Sequence, residues 1–420
     1  MSVTKEFVCL LNFLAIISGH RRFHSYNGRF GSSPSDTWNN DAPSRLFQPI
    51  PATYRLIQSG APPQPYNRSR EALQLPLLAD GEPLANEIYI DIKEGLQYVF
   101  QTKSAWAFAA QGSATTAIQA VLDNLIEPGD RVLVGICGHW GDLMADIARR
   151  LDANVITIRK RTGRRFSFQE ISSAVKRYKP KVLALVQGES TAGVFQPLDG
   201  IGDLCQREGC LFVSDSTSVV GMQAVMMDKL KIDAAMTGSQ KGLGGIVGLA
   251  PIVLSDRAVE RIKNRTKPPR GYQTDLIQIA QQWNATGDFQ SYSVPLLYSL
   301  RESLALMAEE GMENTFERHA KATRQLHQGM EALGLRHFVD EPNDRLVGIT
   351  TFHIPSGKDA TKISDYMLNR HNIFISTGYG EIAGKVLRFA TYAINADPTR
   401  VENLVMALKD ALNSSETNIS

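Results

Sequence analysis

The feature that most constrains this chain is an alternation of short apolar runs with amphipathic segments between residues 105 and 237. Each apolar run ends in small or polar residues, as buried strands do, and each segment between them has the periodicity of a helix. The runs lie at 105–110, 131–136, 181–187, 211–214 and 233–237, and the helical segments at 115–126, 143–151, 168–178 and 198–208. This order predicts an α/β fold with a mostly parallel sheet covered by helices on both faces.

The pattern changes after Tyr298. A long amphipathic helix is predicted over 300–333, with a break near Gly311, followed by strand-like runs at 347–355 and 385–392 and a closing helix at 398–412. This predicts a smaller α+β domain of about 110 residues, large enough to bury its own core. We expect an N-terminal extension at 1–54, a large domain at 55–310 and a small C-terminal domain at 311–420.

Composition excludes several classes of protein. The 420 residues are 43% hydrophobic and 21% charged, as in ordinary globular proteins, and the formal net charge is +2. Because no long basic block is present, nucleic acid is not expected as a partner. The apolar run at 7–19 is too short to span a membrane, so no membrane association is expected. The four cysteines form no CxxC pair, which favours a reducing compartment and predicts no metal site.

The N-terminal extension resembles an organelle targeting segment. Residues 7–35 contain Arg21, Arg22 and Arg29 together with several serines and no acidic residue. This bias favours a mitochondrial location, with a frayed extension of a cytoplasmic protein as the alternative. A peroxisomal location is a further alternative, although the chain does not end in Ser-Lys-Leu. Seven prolines between residues 34 and 65 predict an extended arm.

Small, polar and aromatic residues follow the predicted strands. Gly112-Ser113-Ala114-Thr115 opens a helix, and its free amides could hold a phosphate or serve as a plain N-cap. Trp140 lies between glycines after the second run, where its ring could stack on a planar ligand. Asp215 ends a buried strand, where a carboxylate is costly without a cation, although it could also cap a helix.

Lys241 follows the fifth run among glycines. A desolvated amine loses its charge readily and becomes a nucleophile that forms Schiff bases. A phosphate site, a stacking ring, a buried carboxylate and a lysine are together the contacts that pyridoxal 5'-phosphate requires. The competing hypothesis, a nucleotide-binding loop at 238–245, lacks the GxxxxGK[ST] motif.

Longer motifs give the chain a family resemblance between about residues 55 and 412. The sequence resembles the class V aminotransferases of fold type I, and in particular their alanine–glyoxylate and serine–pyruvate group. The motifs are DIKEGLQYVFQT (91–102), NLIEPGDRVLVG (124–135), QGESTAGVFQPLDG (187–200), TGSQKGLGG (237–245), YSLRESLALMAEEGME (298–313) and GKVLRFATY (384–392).

The resemblance implies roles for individual residues. Lys241 would form the internal aldimine with the cofactor, Asp215 would bind the pyridine nitrogen, and Trp140 would stack on the ring. Arg388 matches the arginine that binds the substrate carboxylate, which agrees with a guanidinium projecting from a strand to form a bidentate pair. The other implied contacts with cofactor or substrate are Gly60, Ser113, Ala114, Thr115, Ser190, Thr217 and Gln240.

The resemblance also implies a homodimer whose active sites are completed by the neighbouring subunit. Relatives carry Tyr-His-His-Thr where this chain has Asp288-Phe289-Gln290-Ser291. Ser291 can replace a hydroxyl donor to the phosphate, but Asp288 would place a negative charge near the phosphate. The substrate arm keeps one glycine, Gly60, and Tyr379 in Gly378-Tyr379-Gly380-Glu381 replaces a leucine. These departures surround the substrate, so the amino donor could have changed.

We therefore expect a pyridoxal-phosphate-dependent transaminase that moves an amino group from alanine or serine to glyoxylate in a ping-pong cycle through Lys241. The alternatives are another donor, such as 3-hydroxykynurenine or ureidoglycine, or a dimeric paralogue that has lost catalysis. A cysteine desulfurase is disfavoured because no cysteine follows Cys210 to act as its nucleophile.

Overall fold

A computed structural model describes residues 50–419 of the chain, apart from residues 51, 53, 61, 80 and 285–290. Residues Arg55–Ser420 form one compact unit. The proposed targeting segment and Asp288 lie outside the described residues. Among the helices that are described, none is both long enough and apolar enough to cross a lipid bilayer.

The strands of the described chain are short, as the lengths of the apolar runs predict. They are β1 (Leu56–Ile57), β2 (Trp106–Gly112), β3 (Arg131–Ile136), β4 (Asn154–Arg159), β5 (Val182–Val186), β6 (Gly188–Glu189), β7 (Val194–Phe195), β8 (Leu211–Asp215), β9 (Ala234–Met236), β10 (Gly248–Leu254), β11 (Ile349–His353), β12 (Ile373–Phe374) and β13 (Val386–Ala390).

The α-helices lie mostly between these strands. They are α1 (Asn67–Glu71), α2 (Pro83–Phe100), α3 (Ala114–Leu125), α4 (His139–Arg150), α5 (Phe168–Tyr178), α6 (Ile201–Arg207), α7 (Asp256–Lys263), α8 (Leu276–Trp283), α9 (Val294–Glu310), α10 (Met312–Ala332), α11 (Ala360–His371) and α12 (Pro398–Asn413).

A seven-stranded sheet forms the centre of the fold, in the order β2-β10-β9-β8-β5-β3-β4. Strand β10 runs antiparallel to both of its neighbours, and every other adjacent pair is parallel. This confirms the predicted α/β class with a mostly parallel sheet. Because β2, β3, β5, β8 and β9 run in the same direction, the residues that follow them meet at one edge of the sheet.

Local sequence explains where several helices begin and end. Ser167 and Glu170 form a reciprocal capping box at the start of α5, where a helix was predicted at 168–178. Gly311, with φ of 81°, separates α9 from α10 at the predicted break. Helix α4 begins at His139, four residues before the predicted start at Leu143, so Trp140 lies in its first turn.

A second, smaller region follows in the C-terminal part. Strands β11 and β13 pair antiparallel, and β1 from the N-terminal arm pairs parallel with β12. Phe352, Leu387 and Leu404 belong to a hydrophobic cluster of this region that is separate from the cluster around the large sheet. The domain boundary at residue 311 stays a prediction, because Met312 and Tyr392 pack in the large cluster.

Candidate active site

A cavity of about 340 Å³ lies at the carboxyl edge of the parallel strands. Residues from the arm, from the large sheet and from the C-terminal region all contribute to its wall. They are Gly60, Pro62, Ser113, Ala114, Thr115, Ile118, Trp140, Gly188, Ser190, Asp215, Thr217, Ser218, Gln240, Lys241, Tyr379 and Arg388.

The cavity wall contains every site residue predicted from the sequence except Ser291. Ser291 is exposed, and its carbonyl oxygen accepts a hydrogen bond from Gln111 Nε2 at 3.1 Å. It is not among the residues that line the cavity of a single chain. Its implied contact with the cofactor of a neighbouring subunit stays a prediction.

Lys241 lies among the turns that follow β9 and is 8% exposed. Its Nζ donates a hydrogen bond to the carbonyl oxygen of Gly60 at 2.7 Å and lies 5.8 Å from the centre of the Tyr392 ring. The pKa of this amine is lowered to about 8: burial is the largest cause, the nearby Arg388 guanidinium acts in the same direction, and Asp215 opposes both. At pH 7 about one-tenth of the amine is therefore uncharged and nucleophilic, far more than for an exposed lysine.

Asp215 is the last residue of β8 and is buried between β5 and β9. Its Oδ1 accepts a hydrogen bond from the backbone N–H of Thr217 at 3.0 Å. Burial raises the pKa of this carboxyl, and the contacts with Thr217 and the charge of Lys241 oppose that rise. A buried acid with few compensating contacts is suited to pair with a cationic group of a ligand.

Ser190 connects two parts of the site. Its hydroxyl accepts a hydrogen bond from Trp140 Nε1 at 2.8 Å, and its carbonyl oxygen accepts one from Arg388 Nη1 at 2.9 Å. Ser190 thus holds both Trp140, the predicted stacking ring, and Arg388, the predicted carboxylate-binding side chain.

Glu189, directly before Ser190, is a fully buried acid that the sequence analysis did not assign to the site. Its two carboxylate oxygens accept hydrogen bonds from the backbone N–H groups of Trp140 at 3.2 Å and Thr191 at 2.9 Å. Burial raises the pKa of Glu189 to about 7 despite these bonds. Glu189 therefore fixes the first turn of α4 and with it the Trp140 ring. Its place in Gly188-Glu189-Ser190-Thr191, just after a buried strand, is the sequence signal that could have identified it.

Arg388 reaches the cavity from β13 and is largely buried. Burial lowers its pKa, and proximity to Tyr392, Glu189 and Tyr379 opposes that change. An ideal Cβ added to Gly60 would lie 2.5 Å from the guanidinium carbon, so the arm passes directly over this side chain. The Arg388 Nε has no hydrogen-bond partner among the described residues. A buried guanidinium with a free donor fits an anionic ligand group.

The first turn of α3 supplies the remaining polar wall. Ser113 is its N-cap residue, and in the described chain its hydroxyl caps no amide of the helix. The amides of a helix start, together with the helix dipole, favour an anion. Gln240 also borders the cavity, and its amide oxygen has no hydrogen-bond partner among the described residues.

Tyr379 was singled out in the sequence as a departure from relatives but not as a site residue. Its ring lies nearly parallel to that of Trp140, at 17° and 6.5 Å between centroids, and meets the His139 ring edge-on at 4.5 Å. Position 379 precedes a predicted strand in a glycine-rich segment, which indicates a loop but gives no sign that the loop folds over the cavity.

Fold and site together define a fold-type I transferase, in which a lysine and a carboxylate from neighbouring strands face one cavity. The sequence model of the family described as Aminotransferase class-V matches residues 81–392. The chain belongs to this family and is an aminotransferase, which confirms the resemblance found in its motifs.

Curated relatives and solved structures agree with this assignment. The chain is 38% identical over 374 residues to the alanine–glyoxylate aminotransferase of Callithrix jacchus, a match that covers 88% of this chain and 90% of the relative. It is 34% identical to the (S)-ureidoglycine–glyoxylate transaminase of Bacillus subtilis, with 84% and 89% covered. The crystal structure of an alanine–glyoxylate aminotransferase from Nostoc sp. superposes with a TM-score of 0.86 at 33% identity, over 88% of this chain and 99% of that one.

Proposed function

We propose that this aminotransferase uses pyridoxal 5'-phosphate to transfer the amino group of alanine or serine to glyoxylate. The observation that carries the proposal is the burial of Lys241 and Asp215 in the wall of one cavity, with Arg388 at the same cavity. The relatives named alanine–glyoxylate aminotransferase support the choice of donor and acceptor.

The residues present fit the cofactor. The start of α3, with Ser113, Ala114 and Thr115, suits a phosphate, and Gln240 lines the same cavity. Trp140 provides an aromatic face, and Asp215 provides a buried acid that can pair with a protonated ring nitrogen. Ser190 and Thr217 line the same wall. These donors and acceptors match a planar, anionic and partly cationic group.

When bound, this cofactor supplies an electron sink that stabilises the carbanion left when an amino acid loses its α-proton. Lys241 is suited to hold the cofactor and to carry that proton, because its amine is buried and its pKa is lowered to about 8. Asp215 keeps a proton on the ring nitrogen. Arg388 binds the substrate carboxylate, and the Ser190 carbonyl orients its guanidinium.

The size and charge of the cavity favour a small donor. Its volume of about 340 Å³ is near the lower end of the roughly 300–1,000 Å³ that ligand pockets span, and it must hold cofactor and substrate together. Among the described residues that line it, Lys241 and Arg388 are the cations. One carboxylate can be paired at Arg388, but a second carboxylate on a donor side chain would find no guanidinium of its own.

A second candidate is a transaminase for a larger or ureido-bearing donor with glyoxylate as acceptor. The 34% identity with a (S)-ureidoglycine–glyoxylate transaminase supports it.

Spectra and donor assays test the proposed function. Purified protein supplied with pyridoxal phosphate should show the visible absorbance of bound cofactor, and Lys241→Ala should lose it. Lys231→Ala is the matched control, because Lys231 pairs with Asp203 on the surface. A panel of donors assayed with glyoxylate and pyruvate should give the highest kcat/KM for alanine or serine with glyoxylate. A wild-type protein that binds no cofactor would instead identify a paralogue that has lost catalysis.

We also propose that the active form is a homodimer. Leu75, Leu77, Leu84 and Ile90 are each more than half exposed, and three of them border an apolar groove of about 670 Å³ between the segment before α2 and α9. Exposed apolar patches of this kind are typical of protein interfaces. Ser291, which the resemblance assigns to a cofactor contact, is exposed and does not line the cavity of one chain. This position agrees with a contribution of Ser291 to the site of a neighbouring subunit.

We propose a mitochondrial location for the full chain. The support is the arginine-rich, acid-free composition of residues 7–35. A fluorescent protein fused after residue 54 should be imported into mitochondria, whereas a fusion that lacks residues 1–35 should remain in the cytoplasm.

A further inference from the structure

Tyr379 lies at the mouth of the cavity. It is 46% exposed and at the same time lines the cavity wall, so one side of its ring faces solvent and the other faces the site. The nearly parallel Trp140 ring lies across from it, and the edge of His139 contacts both rings. The ring therefore packs against two aromatic side chains of α4.

The loop of Tyr379 is anchored to the residue that is proposed to bind the substrate carboxylate. Ser376 and Arg388 exchange backbone hydrogen bonds, at 2.7 Å and 3.3 Å, at the base of the loop. Gly378 has φ of 101°, and a Cβ there would collide with the Ile382 carbonyl, so the chain turns sharply just before the ring. Glu381, two residues beyond the ring, hydrogen-bonds Thr162 on the large region.

The ring and the guanidinium are therefore carried by backbone segments that are hydrogen-bonded to each other. The backbone bonds of Ser376 connect the base of the loop to Arg388, and the turn at Gly378 orients the ring. The hydrogen bond between Glu381 and Thr162 connects the other end of the loop to the large region. A ligand whose carboxylate pairs with Arg388 has its side chain confined between this point and the aromatic wall. A rigid wall discriminates by size, because the chain cannot relax around an extra methylene group without losing these contacts.

We propose that Tyr379 is a specificity-determining residue that sets the upper size limit of the amino donor side chain. This inference rests on the proposed function and specifies its substrate class as amino acids with side chains no larger than methyl or hydroxymethyl. Each methylene beyond that limit should cost about 10-fold or more in affinity, as is typical of hydrophobic pockets that select by size.

Non-reacting analogues test the limit separately from the chemistry. Dissociation constants of propionate, butyrate, valerate and 3-phenylpropionate are measured by calorimetry on the cofactor-loaded wild type, Tyr379→Ala, Tyr379→Leu and Tyr379→Phe. The surface variant Tyr272→Ala is the matched control, since Tyr272 is exposed in a short turn away from the cavity. The absorbance of bound cofactor verifies that each variant is loaded.

Wild type, Tyr379→Phe and Tyr272→Ala should lose affinity steadily along the series. Tyr379→Ala should gain at least 10-fold for 3-phenylpropionate while propionate changes by less than about 3-fold. Tyr379→Leu, which keeps an apolar side chain and serves if the alanine variant does not load, should fall between the two.

Two results would overturn the inference: a wild type that binds 3-phenylpropionate as tightly as propionate, or a Tyr379→Ala variant that loses affinity equally for every analogue. Donor assays distinguish a failure of this inference from a failure of the proposed function. A protein that transaminates alanine but shows no size limit retains the function and refutes the role of Tyr379. A protein that shows the size limit but transaminates no amino acid retains the role and refutes the function.

Discussion

Lys241 owes its chemical character to its burial and to two charged neighbours from different parts of the chain. Its burial lowers the pKa, Arg388 on β13 lowers it further, and Asp215 at the end of β8 raises it. The two charged neighbours are themselves buried, so their effect on the amine is little screened by solvent. The sequence identified all three residues, but the balance between them depends on distances that only the folded chain defines.

The pH dependence of cofactor uptake tests this balance. The neutral amine is the nucleophile, so the rate at which the cofactor-free protein takes up pyridoxal phosphate should rise with pH to a plateau, with a midpoint near 8. Arg388→Ala removes a positive charge and should move the midpoint to higher pH, whereas Asp215→Asn should move it to lower pH. Stopped-flow absorbance gives the rates. A common midpoint in all three proteins would contradict the assigned causes.

Gly60 shows why one glycine of the substrate arm is retained. Its Cβ would lie 2.5 Å from the Arg388 guanidinium carbon, which is held by the Ser190 carbonyl oxygen. Gly60→Ala should therefore displace this side chain and raise KM for alanine by about 10-fold, with cofactor absorbance retained. Arg388→Ala should raise KM for alanine by about 10- to 100-fold, which corresponds to the free energy of a charged hydrogen bond.

The double variant distinguishes this explanation from a general disturbance of the arm. If Gly60→Ala acts through Arg388, its effect should largely disappear in an Arg388→Ala background. Effects that add in the double variant would show that the glycine acts by another route.

At the scale of elements, the strand–helix alternation was predictable because each buried parallel strand is a short apolar run. Two strands of the central sheet were missed for identifiable reasons. Strand β4 lies at the sheet edge and carries Asn154, Thr157 and Arg159, so it reads as polar. Strand β10 contains Pro251, which argues against an interior strand. Pro251 is accommodated because it lies one residue outside the ladder between β10 and β9, which ends at the pair Ile252 and Met236.

Helix α10 meets the turn beside Tyr392 through a histidine whose two ring nitrogens are both used. His319 Nδ1 lies 2.7 Å from the Thr315 carbonyl oxygen, and its Nε2 accepts the Ala393 N–H at 2.9 Å. This arrangement requires the neutral ring. Burial, assisted by the charge of Arg318, lowers the pKa of His319 to about 4. Ala393 itself has a positive φ of 52°, so this contact holds a strained turn.

Stability should therefore decrease in mild acid. A histidine in the unfolded chain titrates near 6.5, so on acidification it gains a proton before His319 does in the folded chain. The stability that neutral His319 contributes is therefore complete above about pH 6.5 and decreases towards pH 4 by up to about 3 kcal/mol. His319→Gln, which can still donate to Thr315 and accept from Ala393, should unfold in urea with a smaller difference between pH 8 and pH 5. Its midpoint at pH 8 reports the structural cost alone, and an unchanged difference would contradict the prediction.

At the scale of the whole molecule, the site combines residues far apart in sequence. Motifs with known chemistry located Lys241, Asp215, Trp140 and Arg388, because each residue type is required by the cofactor or the substrate. Sequence alone could not place Tyr379 over the cavity, since its position depends on a loop folding back towards α4. Nor can one chain show which residues a neighbouring copy supplies, so the role of Ser291 stays a prediction.

The proposed dimer is tested by the mass in solution. Light scattering after size-exclusion chromatography should give the mass of two chains. Leu84→Glu places a charge in the apolar groove beside α2 and should shift the protein towards one chain, because a buried unpaired charge is costly. Met406→Glu, at an exposed apolar position on α12, is the matched control. A single-chain mass for wild type at micromolar concentration would contradict the proposal.

The loop between β12 and β13 differs from the segments that carry the reactive groups in how much sequence change it can accept. Lys241, Asp215 and Glu189 are enclosed by the sheet and tolerate little change, whereas Tyr379 and Glu381 sit on an outer connection between glycines. Natural divergence, or a laboratory library confined to residues 379–383, can then change which amino acids are accepted as nitrogen sources. The residues that carry out amino transfer stay unchanged.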